Sequence, residues 1–187
     1  MHSQLPRTFI IAEAGVNHNG DINLAKKLIE KAKEAGADAV KFQTFSAEKL
    51  ALKGLEKADY QKRNEDIIES QYDMLKRLEL SLESHHLLKK HCKSLNINFM
   101  SSTFDNESTD FLVNNMLCDV IKVGSGELTN APLLFHLARK QVSIILSTGM
   151  SNLSEIEQAL SALAFGYLFQ KNTPQTRENF LQAYYST

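Results

Sequence analysis

The chain contains no tryptophan, three prolines, eight glycines and two cysteines in 187 residues. Cys92 and Cys118 form no CxxC pair and no metal-ligand spacing, so they read as reduced, partly buried thiols of a cytosolic protein. Neither sign of charge dominates. A formal net charge of −1 gives no global field favouring nucleic acid or an anionic membrane, although a local basic cluster can still hold a small anion. Long apolar runs are lacking too. The opening "MHSQLPR" is polar, and "FIIAEAGV" is too short for a signal-peptide core or a membrane span, which makes a cytoplasmic location the expectation. What remains is a globular composition, 43% hydrophobic and 23% charged, long enough for a sizeable core.

Short apolar runs alternate with helical patterns. Strands are expected at 9–14, 38–45, 97–103, 119–125 and 142–149. Between them, "NLAKKLIEKAKEAG" (23–36) reads as a helix with Leu24, Leu28, Ile29, Ala32 and Ala35 on one face; Asp21 or Asn23 is placed to cap it and Gly36 to end it. A polar excursion covers Ser46 to about Asn64. Helices are then expected over 65–80, 81–96, 106–117 and 130–140, the last with Pro132 in its first turn. A further helix follows the fifth strand, with Ser154 and Glu157 at capping-box spacing, and a short one begins at Thr176. Apolar strands alternating with helices imply a parallel sheet covered by helices. Five such units make either a complete doubly wound sheet or most of an eight-stranded barrel.

Both architectures bind ligands at the carboxyl ends of their strands, and every expected strand here carries polar groups to that end. They are Glu13, then Lys41 and Gln43, then Ser101, Ser102 and Thr103, then Lys122, Ser125 and Glu127, and finally Ser147 and Thr148. Lys122 interrupts the apolar run "VIKVGS". A lysine inside a strand is costly unless something anionic meets it. Lys41 and Gln43 are two apart and so share a face. Two inward lysines with several hydroxyls make a cradle for a compact polyanion, phosphate plus carboxylate, and the "GSGE" and "STGMS" turns add backbone N–H donors. An alternative stays open: either lysine pairs with an inward carboxylate, Glu13 being the candidate. His18, in a loop rich in Gly and Asn, is open to a site role or to a backbone hydrogen bond alone. His85, His86, His91 and His136 fall on helices and read as surface or packing residues.

The segments "IIAEAGVNHNGDINLAKKLIEKAKEAGADAVKFQTF", "LELS", "SSTFD", "IKVGSGELTNAPLL" and "IILSTGMSNLSEI" together resemble the sialic acid synthase family, which includes legionaminate and pseudaminate synthases. The resemblance implies an α/β fold, a TIM-type (βα)8 barrel, of which residues 1–187 form a single, incomplete domain truncated after about five βα units and lacking the family's antifreeze-like domain. It implies condensation of phosphoenolpyruvate with an N-acylated amino sugar, N-acetylmannosamine or a 6-deoxy diacetamido relative, giving a nonulosonic acid and phosphate. By the same resemblance Glu13, Lys41 and Lys122 are catalytic, while Gln43, Thr103, Ser125, Glu127 and Ser147 bind substrate. A divalent metal, manganese or magnesium, and a homodimer are expected of full-length members. None of the six histidines matches the family's metal ligands, so the fragment is expected to bind no metal and to have little or no activity alone. Neither nucleic acid nor a membrane is expected as a partner. Two alternatives stand beside this reading: another phosphoenolpyruvate–aldose condensing synthase, and a non-catalytic remnant that binds an anion.

Overall fold

A computed structural model describes residues 7–53, 69–169 and 172–186. Strands and helices alternate as the apolar pattern requires: β1 (Ile11–Gly15), α1 (Ile22–Glu34), β2 (Ala39–Thr44), α2 (Ala47–Leu50), α3 (Gln71–Leu78), α4 (Leu82–Ser94), β3 (Asn98–Thr103), α5 (Asn106–Asp110), β4 (Val120–Val123), α6 (Ala131–Ala138), β5 (Ser143–Leu146), α7 (Leu153–Leu168) and α8 (Arg177–Tyr185). The strands form one five-stranded sheet whose order follows the chain, β1-β2-β3-β4-β5. The registers Ile11↔Ala39, Ser102↔Lys122 and Val120↔Ser143 are all parallel. Strictly sequential order is the order of consecutive βα units of a TIM-type barrel. A doubly wound sheet reverses its strand order at a switch point, and this one does not.

The chain divides into two compact units, one from the described residues of Met1–Gln43 and Arg77–Met100, the other from those of Thr44–Lys76 and Ser101–Thr187. In the first, the Asp38 carboxylate accepts from Arg7 Nη2 and from the Ile10 amide, each at 2.8 Å, and so fixes the entry of β1. The Asp21 side chain caps α1 by accepting from the Asn23 amide. The buried face of α1 is centred on Ala25, Ile29 and Ala32. Leu28 packs partly against the core, and Ala35, expected on that face, is exposed because it is already the C-cap. Val40, Phe42, Leu88, Cys92 and Ile97 complete this core.

In the second unit α6, α7 and α8 enclose an aromatic cluster. Phe165 stacks on Phe180 with ring centroids 4.8 Å apart, and both meet Phe135 at 5.3 Å. Fully burying a side chain such as Phe165 stabilises by about 1.5–3 kcal/mol. The capping box of α7 is not Ser154 with Glu157 but Asn152 with Glu155, two residues earlier: Asn152 Oδ1 accepts from the Glu155 amide at 3.0 Å, and the Glu155 carboxylate accepts from the Asn152 amide at 2.9 Å. The helix expected over 106–117 is α-helical only to Asp110 and continues as a π-helix over Phe111–Asn115. Of the helix expected over 65–80, the structure places Gln71–Leu78; residues 65–68, and most of the polar excursion, lie outside the described residues.

Candidate active site

In the first unit β1 and β2 are register neighbours at Glu13 and Lys41, so the two side chains leave adjacent strands side by side. Lys41 Nζ forms an ion pair with Glu13 Oε2. The lysine side chain is 11% exposed and the carboxylate 52%. This is the counter-charge that a largely buried ammonium requires, and the sequence had left it open as an alternative. Gln43 follows two residues after Lys41. A Cβ built on Gly15 stands 3.1 Å from Glu13 Oε1 and 3.8 Å from Gln43 Nε2, so both side chains gather over that glycine. Gly15 has φ +55°, a left-handed conformation that side chains avoid, and β1 bulges between Glu13 and Gly15. Glu13, Lys41 and Gln43 thus meet at the carboxyl ends of β1 and β2.

Two buried histidines, for which the residue pattern alone settles no role, belong to the same unit. His18 is buried; its Nδ1 accepts from the Gly20 amide at 3.0 Å, which puts the ring proton on Nε2, an atom without a partner among the described residues. His85 is equally buried. Its Nδ1 lies 3.0 Å from the Ser81 carbonyl and its Nε2 3.4 Å from the Gln43 carbonyl, tying α4 to β2. The shorter contact takes the proton of a neutral ring. Burial holds the pKa of both histidines below the ordinary imidazole value; for His18 the nearby His85 adds to the effect. A glycine two residues after His18, and a serine four residues before His85, were the local signals.

In the second unit Lys122 lies on β4 between Ser102 of β3 and Ile145 of β5. Its Nζ donates to the Val123 carbonyl at 2.6 Å, and the Ser147 amide donates to the same oxygen at 3.1 Å. Lys122 and Ser147 are thereby drawn to one point at the ends of β4 and β5. Ser125 opens a single 3₁₀ turn, Ser125–Glu127. Its Oγ lies 3.4 Å from a Cβ built on Gly149, so the "GSGE" and "STGM" turns are adjacent.

Thr103 and Glu127, the other two residues expected to bind substrate, each have partners close in the chain. Thr103 is fully buried: its hydroxyl donates to the Asp105 carbonyl at 3.1 Å and lies 2.9 Å from the Thr109 hydroxyl. Glu127 accepts from Asn130 Nδ2 at 2.7 Å, and Asn130 in turn caps α6. Among the described residues no group of three or more His, Cys, Asp and Glu side chains is placed to hold a metal ion. Nor is any helix among the described residues long and apolar enough to cross a membrane.

The chain is 54% identical over 155 residues to the N,N'-diacetyllegionaminic acid synthase of Legionella pneumophila, covering 83% of this chain and 43% of that protein. It is 52% identical over 159 residues to the synthase of the same name from Campylobacter jejuni, covering 85% of this chain and 47% of that protein. It therefore spans less than half the length of these relatives. The crystal structure of an N-acetylneuraminic acid synthetase from Leptospira borgpetersenii, in complex with citrate, superposes with a TM-score of 0.72 at 30% identity, over 87% of this chain and 55% of that one. The family model described as NeuB matches residues 28–182, and on that match the chain belongs to the NeuB family.

Proposed function

We propose that the protein carrying this chain is a nonulosonic acid synthase that condenses phosphoenolpyruvate with an N-acylated amino sugar. The similarity to two N,N'-diacetyllegionaminic acid synthases favours a 6-deoxy diacetamido acceptor over N-acetylmannosamine. The observation that carries the reading is the group at the ends of β1 and β2: an ammonium, a carboxylate and an amide gathered over Gly15.

In the proposed reaction the alkene carbon of phosphoenolpyruvate attacks the sugar aldehyde and a C–C bond forms. Positive charge appears at the former enol carbon, and water adds there. The tetrahedral intermediate expels phosphate by C–O cleavage. Lys41 offers positive charge in the first unit. Lys122 does so in the second, where its ammonium and the Ser147 amide meet at the Val123 carbonyl. Such fixed charges and donors lower the barrier by orientation and charge placement, on the order of several kcal/mol. Glu13, half exposed and already bonded to an ammonium, is the base or acid that moves a proton at the attacking water or the aldehyde oxygen. Gln43, beside it, hydrogen-bonds the acceptor sugar.

Phosphate release by the purified protein, supplied with phosphoenolpyruvate and either acceptor, tests the proposal. Turnover with the diacetamido sugar is expected to exceed that with N-acetylmannosamine. Lys122→Met should weaken phosphoenolpyruvate binding about tenfold or more, the scale of a lost charged hydrogen bond. Glu13→Gln should lower turnover while leaving that binding largely intact. Saturable binding of phosphoenolpyruvate by a correctly folded protein that turns over neither acceptor points instead to the anion-binding remnant.

A further inference from the structure

A run of tight turns carries the chain from the end of β4 to α6. The Glu127 amide donates to the Gly124 carbonyl at 3.0 Å, the Leu128 amide to the Ser125 carbonyl at 3.2 Å, and the Asn130 amide to the Glu127 carbonyl at 3.0 Å. Leu128, within this segment, is buried. The Asn130 side chain then makes two contacts at once. Its Oδ1 accepts from the Leu133 amide at 3.3 Å and caps α6, while its Nδ2 donates to Glu127 Oε2 at 2.7 Å. The two contacts fix which way the amide points: turned over, it would set NH2 against an N–H and oxygen against a carboxylate. Capping needs only an oxygen acceptor, which Ser or Asp supplies as well as Asn. The donor to Glu127 is what the amide adds.

Glu127 closes the turn that Ser125 opens, in the same unit as Lys122 and Ser147. A carboxylate there repels phosphoenolpyruvate, an anion. The N-acylated amino sugar is neutral and offers hydroxyl and amide donors, which a carboxylate accepts well. Asn130 Nδ2 engages one of the two carboxylate oxygens, Oε2. We propose, on the synthase reading above, that Asn130 is a positioning residue for the acceptor: it holds the Glu127 carboxylate by Oε2, so that Oε1 accepts from a hydroxyl or amide N–H of the sugar. A glutamate side chain otherwise samples several rotamers. Holding one before the sugar arrives removes an entropic cost from binding. Asn130 itself touches no substrate.

Steady-state kinetics of the purified protein with phosphoenolpyruvate and the diacetamido sugar test this, with Asn130→Ser and Asn130→Asp as variants. Both keep an oxygen to cap α6, so Tm should stay close to that of the unaltered protein. Both lose the donor to Glu127. Asn130→Ser is expected to raise the KM for the sugar about tenfold, the scale of one lost hydrogen bond to a charged group. Asn130→Asp should raise it further, because its charge repels the carboxylate. The kcat and the Kd of phosphoenolpyruvate should change less than about twofold, the split expected when ground-state binding of one substrate alone is weakened. A role confined to capping would instead move Tm, kcat and the binding of both substrates together. That pattern, or an unaltered sugar KM in both variants, overturns the proposal while synthase activity of the unaltered protein stands. An unaltered protein that turns over neither acceptor overturns the synthase reading itself and, with it, the role of Asn130.

Discussion

Glu13 and Lys41 are cross-strand partners: in register on β1 and β2, they join through one carboxylate oxygen, with the lysine largely buried and the glutamate half in solvent. Removing the glutamate leaves the ammonium without that counter-charge. Glu13→Gln is expected to cost about 1–2 kcal/mol, below the full penalty for a buried pair because solvent already screens the carboxylate. Urea denaturation of Glu13→Gln, Lys41→Met and the double variant checks this. The double variant should be less destabilised than the sum of the single ones, and strict additivity would show that the pair contributes nothing.

Gly166 lies in α7 where it crosses α6, and a Cβ built there stands 2.6 Å from the Ala138 Cβ and 3.3 Å from the Phe135 carbonyl oxygen. Neither neighbour is the free end of a flexible chain. Although alanine is the better helix former, Gly166→Ala should destabilise by about 1–3 kcal/mol through overpacking. A rise in Tm for this variant would mean that the two helices separate at little cost.

The buried histidines predict an acid sensitivity. Both have folded-state pKa values held below the ordinary 6.5, so the unfolded chain binds protons more readily as pH falls. Their contribution is complete above pH 6.5 and is lost as pH drops through their folded values. The slope approaches about 1.4 kcal/mol per pH unit for each histidine. Thermal melts between pH 7.5 and pH 5 (roughly the range in which imidazoles titrate) should show Tm falling, and His85→Gln should flatten the trend. An unchanged slope in that variant would assign the acid sensitivity to other groups.

Cys92 is packed in the core beside Leu88 and Ile97, and burial pushes its thiol from 9.0 up to about 12. Only the thiolate is nucleophilic, so in the native protein Cys92 should resist a thiol reagent at pH 8 and react fully in urea. The same shift means stability that is whole below pH 9 and declines as pH rises towards 12. Rapid native-state labelling at Cys92, read by mass spectrometry, would contradict this packing.

Much of this protein was legible along the chain. Alternating apolar runs placed the strands to within a few residues, because a buried parallel strand leaves a short continuous hydrophobic signature. Of the two residues placed to cap α1, Asp21 does so, and the short helix expected from Thr176 starts there, with Thr176 as its cap. Spacing by two put Lys41 and Gln43 on one face, and the positions of Glu13, Lys41 and Gln43 at strand ends followed from the pattern. The capping box of α7 was misplaced because Ser154 with Glu157 and Asn152 with Glu155 have the same spacing. Only the start of the helix distinguishes them.

Other features depended on the fold. Sequential strand order separates a barrel segment from a doubly wound sheet, and nothing local in the chain encodes which strand lies beside which. Whether Lys41 waits for a ligand anion or already has Glu13 was undecidable from composition, since the answer is a distance across two strands set by register. The same holds for Thr103, whose hydroxyl turns inward to Asp105 and Thr109. Periodicity determined the elements and the face each side chain takes; long-range packing alone decided the partner each polar group meets, because those partners are brought together by the fold and not by proximity in sequence.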